Sequence, residues 1–428
     1  MPEEIIPAAG GKAEITDEDN DAGENTQAVV PARWMSPGVG GIGLASFLAD
    51  VGHEVPTALL PSLVTSILGA PAAALGLIEG ISDGLAGAGR FAGGALADDP
   101  GRRRAVAVGG YTTTAVLSAL IGVAGNVLQV GVLRGASWAA RGLRVPARNA
   151  LLADVVAAGA YGRAYGFERT MDNLGAIGGP LLALGLVAMF SVRTAILISV
   201  VPGLLAAAAI VFAIRQATLP EITERRRLRI QVRAVLHGEL GRLLGAFTAF
   251  EVGNLAATLL ILRATDLLTP THGGQTATKL ALGLYITYNI AATITSFPAG
   301  RLSDRLGVRG PRLVVAAGVA AFLAAYLMFA IIPALIGVLA IAFVLAGIGI
   351  GAIETAQTAA VAALAPDALR GSAFGLLATV QAGGNVAASA VAGLLYTLTT
   401  PAVAFFYVAA WMLVALAGLA FTDRHRTT

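Results

Sequence analysis

Ionisable side chains stand inside stretches that are otherwise apolar, and their spacing points to chemistry. Asp50, His53 and Glu54 lie in one such stretch, Glu79 and Asp83 in the next, and Glu168, Arg169 and Asp172 further on. Asp50 and Glu54, like Glu79 and Asp83, are four residues apart; on a helix each pair shares a face and can share a proton or hold a cation. Arg134, Arg141, Arg144 and Arg148 fall within an arc of about 80° when wound as a helix, a stripe that must meet other helices. The acids are its natural partners, either holding helices together or handling a substrate, and both readings stay open. The second half of the chain is poorer. Glu251 and Glu354 are its main candidates, with Asn254, Asn289, Gln357, Gln381 and Asn385 as neutral polar lining and Tyr285 and Tyr288 as possible wall. The asymmetry predicts ion handling in the first half and a more apolar wall in the second.

Histidine ordinarily titrates near neutrality, which makes His53 a candidate proton relay beside Asp50 and Glu54. The same three side chains form a chemically reasonable metal set. A lone histidine is more often neither, so no metal is expected. His237, His272 and His425 fall in loops or the tail.

The elements that must position these groups follow from composition. The chain has 428 residues, 56% of them hydrophobic and 13% charged, with a mean hydropathy of +0.75. So little charge excludes a soluble protein of this size and predicts a polytopic membrane protein. The absence of cysteine excludes disulfides, thiolate metal sites and cysteine nucleophiles. No G-x4-G-K-[ST] loop occurs and only Lys12 and Lys279 are present, which excludes ATP as the driver.

A run of about 20 apolar residues crosses a bilayer as a helix. Spans are read at 41–64, 73–97, 104–124, 127–150, 164–189, 193–214, 243–265, 279–299, 311–331, 335–362, 371–396 and 401–422. Connections after even-numbered spans hold Arg102–Arg104, Arg163, Arg301, Arg305, Arg309, Arg312 and Arg370, while those after odd-numbered spans are nearly free of basic residues. The positive-inside rule then places both termini in the cytoplasm. Residues 1–36, with eight acids against Lys12 and Arg33, predict a disordered acidic tail rather than a signal peptide. Residues 37–214 and 243–422 form two six-helix bundles, and 423–428 a second tail. Residues 215–242, with seven arginines, form a linker expected on anionic headgroups rather than on nucleic acid.

The chain is a duplication. Gly94-Ala-Leu-Ala-Asp-Asp-Pro-Gly-Arg-Arg-Arg104 returns as Gly300-Arg-Leu-Ser-Asp-Arg-Leu-Gly-Val-Arg309 at a constant offset of 206 residues, near half the chain. Asp50-Val-Gly-His53 is echoed by Glu251-Val-Gly-Asn254, and Gly162-Arg-Ala-Tyr-Gly166 by Gly371-Ser-Ala-Phe-Gly375. The last register pairs Asp172 with Gln381 and Gly175 with Gly384.

At the repeated loop the chain resembles the major facilitator superfamily (MFS) of transporters. That family's signature, G-x-L-a-D-r-x-G-r-r, lies in the cytoplasmic loop between helices 2 and 3, with a weaker copy between helices 8 and 9. Asp99 stands where the family usually has Arg, while the second copy keeps Arg305. The resemblance implies an all-α MFS fold, twelve transmembrane helices in two pseudo-symmetric bundles that rock about a central cavity. It assigns a cytoplasmic gate to Gly94, Asp98, Gly101, Arg102, Arg103, Gly300, Asp304 and Gly307. Asp98 carries the lock with Arg102 and Arg103 nearby, and Asp304 is its weaker counterpart.

Gly166, Gly175, Gly179 and Pro180 resemble the superfamily's antiporter motif, G-x8-G-x3-G-P-x2-G-G, with Ala183 and Leu184 in place of the final glycines. The segment from Arg141 to Asp154 is similar to a bacterial branch with G-[IL]-R-x-P-x-R-D-A-[LI]-[LI]-A-D, where Asn149 replaces the Asp. The implied protein is not an enzyme and needs no cofactor. It is a monomer of the bacterial plasma (inner) membrane, driven by the proton gradient, with a small-molecule substrate, protons and lipids as partners. The leading expectation is a proton-coupled exporter of small amphipathic molecules. The alternative is a proton-coupled importer or facilitator of an organic anion, with a divalent-metal exporter and a non-transporting sensor as minor readings. The proton and substrate residues expected are Asp50, His53, Glu54, Glu79, Asp83, Arg141, Asp172, Glu251 and Glu354.

Overall fold

Helix starts are set locally. In the computed structural model, which describes residues 34–216, 232–331 and 335–424, Ser36 caps α1 (Pro37–Pro61) by accepting a hydrogen bond from Val39 N–H at 3.2 Å. A π-helical turn, Ser62–Ile67, continues α1. After α2 (Ala72–Ala97), Asp99 caps α3 (Pro100–Leu120), accepting from the N–H groups of Gly101 at 2.9 Å and Arg102 at 3.3 Å. Pro100 occupies the first position, where its missing N–H costs nothing. The acid that replaces the family's Arg is thus a helix cap. Asn126 caps α4 (Val127–Asp154) in the same way, and α5 (Tyr161–Met189) follows.

The sixth span divides into α6 (Val192–Ile198) and α7 (Val200–Gln216). Pro202 explains the break, because it cannot donate to the Ile198 carbonyl and its ring crowds that oxygen. A short α8 (Val232–Val235) precedes the seventh span, which is also divided, into α9 (Gly238–Gly253) and α10 (Ala257–His272). The remaining helices are α11 (Gly274–Arg305), α12 (Gly310–Ile331), α13 (Ile336–Leu364), α14 (Arg370–Leu398) and α15 (Pro401–Arg424). Every span expected from the sequence is helical, and the two divisions were not foreseen. The acidic tail and most of the linker lie outside the described residues.

Among the described residues, nine helical segments are long and apolar enough to cross a membrane, and α1, α2 and α4 are not among them. Those three carry Asp50, Glu54, Glu79, Asp83 and the arginine stripe, and ionisable groups lower their hydropathy. Packing follows the duplication. α1 lies against α5 and α7, α2 against α4, and α3 against α4 and α7; in the second half α9 lies against α14 and α15, α11 against α13, and α12 against α13 and α15. The halves meet through α2 with α14 and α5 with α11.

Candidate functional site

The two halves touch through bare backbone at the ends that bear the repeated loop. A Cβ on Gly300 would lie 2.0 Å from the Gly162 carbonyl oxygen, and one on Gly375 2.7 Å from Gly94 Cα. Small residues are what let helices approach so closely in a membrane. Toward the opposite ends of the same four helices, Gly76 and Gly80 of α2, Gly185 of α5, Gly283 of α11 and Gly393 of α14 have nothing within 4 Å of such a Cβ. The halves are in backbone contact on the motif side, and these glycines at the other ends take no part in such a contact.

The two acids of the repeated loop staple the motif side. Asp98 accepts from Ser372 N–H at 2.8 Å and from the Ser372 hydroxyl, at the first turn of α14. Burial pushes the Asp98 carboxyl above its ordinary range, and both Ser372 hydrogen bonds hold it down. Asp304 accepts from Gly162 N–H at 2.7 Å and Arg163 N–H at 2.9 Å, the first turn of α5, and pairs with Arg163 Nε at 2.8 Å. Both acids therefore sit at helix N-termini, where negative charge is favoured. Asp304 adds the Arg163 guanidinium to its backbone partners, where Asp98 adds the Ser372 hydroxyl.

The basic residues next to Asp98 face elsewhere. Arg103 pairs with Asp154 and donates to the Ala97 carbonyl at 2.7 Å, and Arg102 lies 3.5 Å from Asp99. Asp154, not singled out from the sequence, also meets Arg370 at 3.4 Å and so bridges the halves. Of the remaining gate glycines, Gly101 lies in the first turn of α3, and Gly307 has a φ of +64° at the end of the second loop.

Between the two halves lies a cavity of about 380 Å³. Of the expected residues, Asp50, Asp83, Arg141, Asp172, Glu251 and Glu354 line it, together with Arg144, Arg148 and Arg169. Glu79 lies outside the lining, paired with Arg134 at 3.1 Å, and Arg134 in turn stacks 3.4 Å above the Trp138 ring. His53 and Glu54 also lie outside it. His53 Nδ1 stands 2.9 Å from the Ala49 carbonyl and 3.3 Å from Asp50, while Nε2 is turned to Glu54 at 3.2 Å. Its two nitrogens face different carboxylates, so these three side chains do not converge on one point. Among the described residues no group of three potential ligands is gathered for a metal.

The glycines of α5 hold these acids in place. Cβ atoms on Gly175 and Gly179 would stand 2.8 Å from Asp50 Cβ and 2.4 Å from Glu54 Cβ, and Gly166 abuts Ser296 of α11. Pro180 lies inside α5.

Most of the cavity's charge is neutralised internally. Arg148 meets Glu168 at 2.7 Å and Asp172 at 3.3 Å; Arg169 meets Asp172 at 3.1 Å and Glu354 at 3.5 Å; Arg141 reaches Asp50 only at 3.6 Å. Arg90 and Arg144, both in the wall, form no ion pair or hydrogen bond among the described residues. Arg144 is 3% exposed and lies 4.1 Å from the Tyr111 ring. Sequence reasoning missed Arg90 and Trp138. Arg90 follows Asp83 by seven residues, one heptad along the same face, and Trp138 follows Arg134 by four, at the edge of the arginine stripe.

The second half presents Glu251, Asn254, Glu354, Gln381 and Asn385 together with Ala378, Ala382 and Val386, a wall with fewer charges than that of the first half and built mainly from amides and small apolar side chains. Tyr285 and Tyr288 stack on each other at 5.6 Å, and neither they nor Asn289 line the cavity.

The family model of the Major Facilitator Superfamily matches residues 42–268 and 242–428. An uncharacterised MFS-type transporter of Methanocaldococcus jannaschii is 27% identical over 377 residues, 88% of this chain and 92% of its own. An uncharacterised protein of Mycobacterium bovis is 30% identical over 184 residues, 42% of this chain and 45% of its own. Among solved structures, a bacterial homologue of the iron transporter ferroportin, in an outward-facing state, superimposes with a TM-score of 0.72 at 15% identity. It covers 90% of this chain and 99% of its own. The human organic anion transporter MFSD10 superimposes with a TM-score of 0.66 at 15% identity, covering 89% and 99%. With a family match over nearly its whole spanning region and the duplicated bundles described above, the chain belongs to the Major Facilitator Superfamily.

Proposed function

We propose that the protein is a proton-coupled secondary transporter of a small organic anion, working by alternating access in a plasma membrane with its motif side and termini cytoplasmic. One observation carries the anion: Arg90 and Arg144 face the cavity with no carboxylate at ion-pair distance, Asp83 and Glu354 acting on Arg90 and Asp50 on Arg144 only from further away. A buried cation such as Arg144 is costly to hold unless something negative joins it. Arginine suits the task, since its planar fork matches a carboxylate or phosphate through two parallel hydrogen bonds. The organic anion transporter that shares the fold at 15% identity agrees in substrate class and adds no residue to the argument.

Export of amphipathic molecules is the second reading, and it rests on the α5 glycines. Their contacts with α1 and α11 account for them as close packing and carry no direction of transport.

The test is the pH inside sealed vesicles containing the purified protein while organic anions, lipophilic cations and divalent metals are added in turn. Anions should evoke proton movement in the native protein and none in the double variant Arg90→Gln, Arg144→Gln. Movement evoked only by lipophilic cations would restore the exporter. Silence across the whole panel would remove proton-coupled transport.

A further inference from the structure

Glu251 stands beside a break in a spanning helix. Asn254, Leu255 and Ala256 are non-helical; Asn254 N–H still donates to the Glu251 carbonyl at 3.1 Å, and other helices supply further partners. Leu255 N–H donates to Tyr326 Oη at 3.1 Å, Ala256 N–H to Ser389 Oγ at 2.9 Å, and Asn385 Nδ2 donates to the Asn254 carbonyl at 2.9 Å. Irregular backbone survives at membrane depth only where protein or a water-filled cavity replaces the lost hydrogen bonds. Both conditions hold, since Asn254 and Asn385 line the cavity.

Glu251 is 2% exposed, and its oxygens meet amides: Asn254 Nδ2 at 3.1 Å and Gln357 Nε2 at 3.3 Å. Gln357 Oε1 in turn accepts from Gln381 Nε2 at 2.9 Å, and Gln381 lines the cavity. The other titratable groups around it are Glu354 of α13 and Tyr326 of α12. α14 contributes Gln381, Asn385 and Gly384, and α15 sets Trp411 and Met412 against Gly253. Every other carboxylate of the wall has a different situation. Asp50, Asp172 and Glu354 each have an arginine within 4 Å, and Asp83 is exposed and accepts from Trp138 Nε1.

A primary amide has a donor end and an acceptor end, and turning it over exchanges them. With Glu251 ionised, Gln381 donates to Gln357 and Gln357 donates to Glu251. With a proton on Glu251, its O–H donates to Gln357 Oε1, and the Gln357 amide then donates to Gln381 Oε1. Both arrangements leave this chain of hydrogen bonds complete, so neither strands a buried polar group. They differ at the far end: Gln381 offers the cavity a carbonyl in the first and an NH₂ in the second.

We propose that Glu251 is the proton-binding site of the second half, and that Gln357 and Gln381 relay its state to the cavity wall. The proton arrives from cavity water, forms one O–H bond and returns to water; no other covalent bond changes. This rests on the organic-anion reading and gives it a sign. An NH₂ turned into the cavity favours an anion, so proton and anion each strengthen the other's binding, the relation that cotransport in one direction requires.

Infrared difference spectroscopy of the full-length protein in lipid, titrated with acid, tests it through the carboxylic C=O band. A band lost in Glu251→Gln and kept in Asp50→Asn is the expected result. Gln381→Leu removes no atom that touches Glu251, yet it should keep the band and move its midpoint by about one pH unit, the effect of one buried hydrogen bond. Should Glu251→Gln not fold, Glu251→Asp must displace the band instead. A band indifferent to substitution at Glu251 overturns the proton site. A midpoint unmoved by both Gln357→Leu and Gln381→Leu overturns the relay. Neither readout involves a transported molecule, so the anion reading can fail in vesicles while these results stand, or the reverse.

Discussion

Asp50-Val-Gly-His53 in α1 and Glu251-Val-Gly-Asn254 in α9 occupy matching places in the two halves, and each has a glycine of the facing helix pressed against it. A Cβ on Gly175 would meet Asp50 Cβ at 2.8 Å, and one on Gly384 would meet Glu251 Cβ at 2.5 Å. From that shared packing the halves diverge. Around Asp50 the helix is continuous and the surroundings are ionic, with Arg141, Arg148, Arg169, Glu168 and Asp172 close by. Around Glu251 the helix is interrupted and the contacts are neutral amides. Ionic networks in a low dielectric are strong and hold one arrangement, while amides can reverse at little cost. The first half is thus suited to holding charge in place and the second to responding to it.

The largest test of this contrast is Arg148→Met. It leaves Glu168, at 2% exposure, and Asp172 short of their shared cation, and should destabilise the protein by about 3–5 kcal/mol. Thermal melting in lipid would show it, with Gln357→Leu in the second half losing about 1–3 kcal/mol. Equal losses would erase the distinction between the halves. Next comes the motif side. Gly162→Val drives a side chain against the Gly300 carbonyl, 2.2 Å from the Cβ position, and should disfavour closure by about 1–3 kcal/mol. Because the chain contains no cysteine, single cysteines near Asp98 and Asp304 report opening directly through their labelling rate.

A finer comparison is between Asp98→Ala and Asp304→Ala, each expected to cost the closed state about 0.5–2 kcal/mol as a lost helix cap. The Asp304 variant should label faster, because it also loses the Arg163 ion pair; the opposite order would rank the two staples as the resemblance did. The smallest effect on stability belongs to Arg90→Gln. With no internal partner to strand, it should melt within about 0.5 kcal/mol of the native protein, while anion-evoked proton movement falls roughly tenfold or more for one charge-assisted hydrogen bond.

The spans were legible because apolar length is a one-dimensional property, and the duplication because Gly94 and Gly300, Gly162 and Gly371 repeat in order. The gate was half legible. The loop motif marks Asp98 and Asp304, but that they cap α14 and α5 depends on helices that are distant in sequence. Asp154 closes the segment that begins at Arg141, but its role as a bridge depends on Arg103 and Arg370, which reach it from other helices. The break at Ser199 is traceable to Pro202. The break after Gly253 has no proline and exists because Tyr326, Ser389 and Asn385 supply hydrogen bonds that sequence alone cannot show. Arg90 was overlooked because the alanine and glycine around it resemble lipid-facing helix.

The main-chain contact between Gly162 and Gly300 has an evolutionary consequence. Where closure relies on backbone atoms and two capped helix ends, that part of the machine holds little that a cargo can recognise. Substitutions in the cavity can then change what is carried without disturbing how the molecule shuts, so a lineage can replace its cargo and inherit its gate intact.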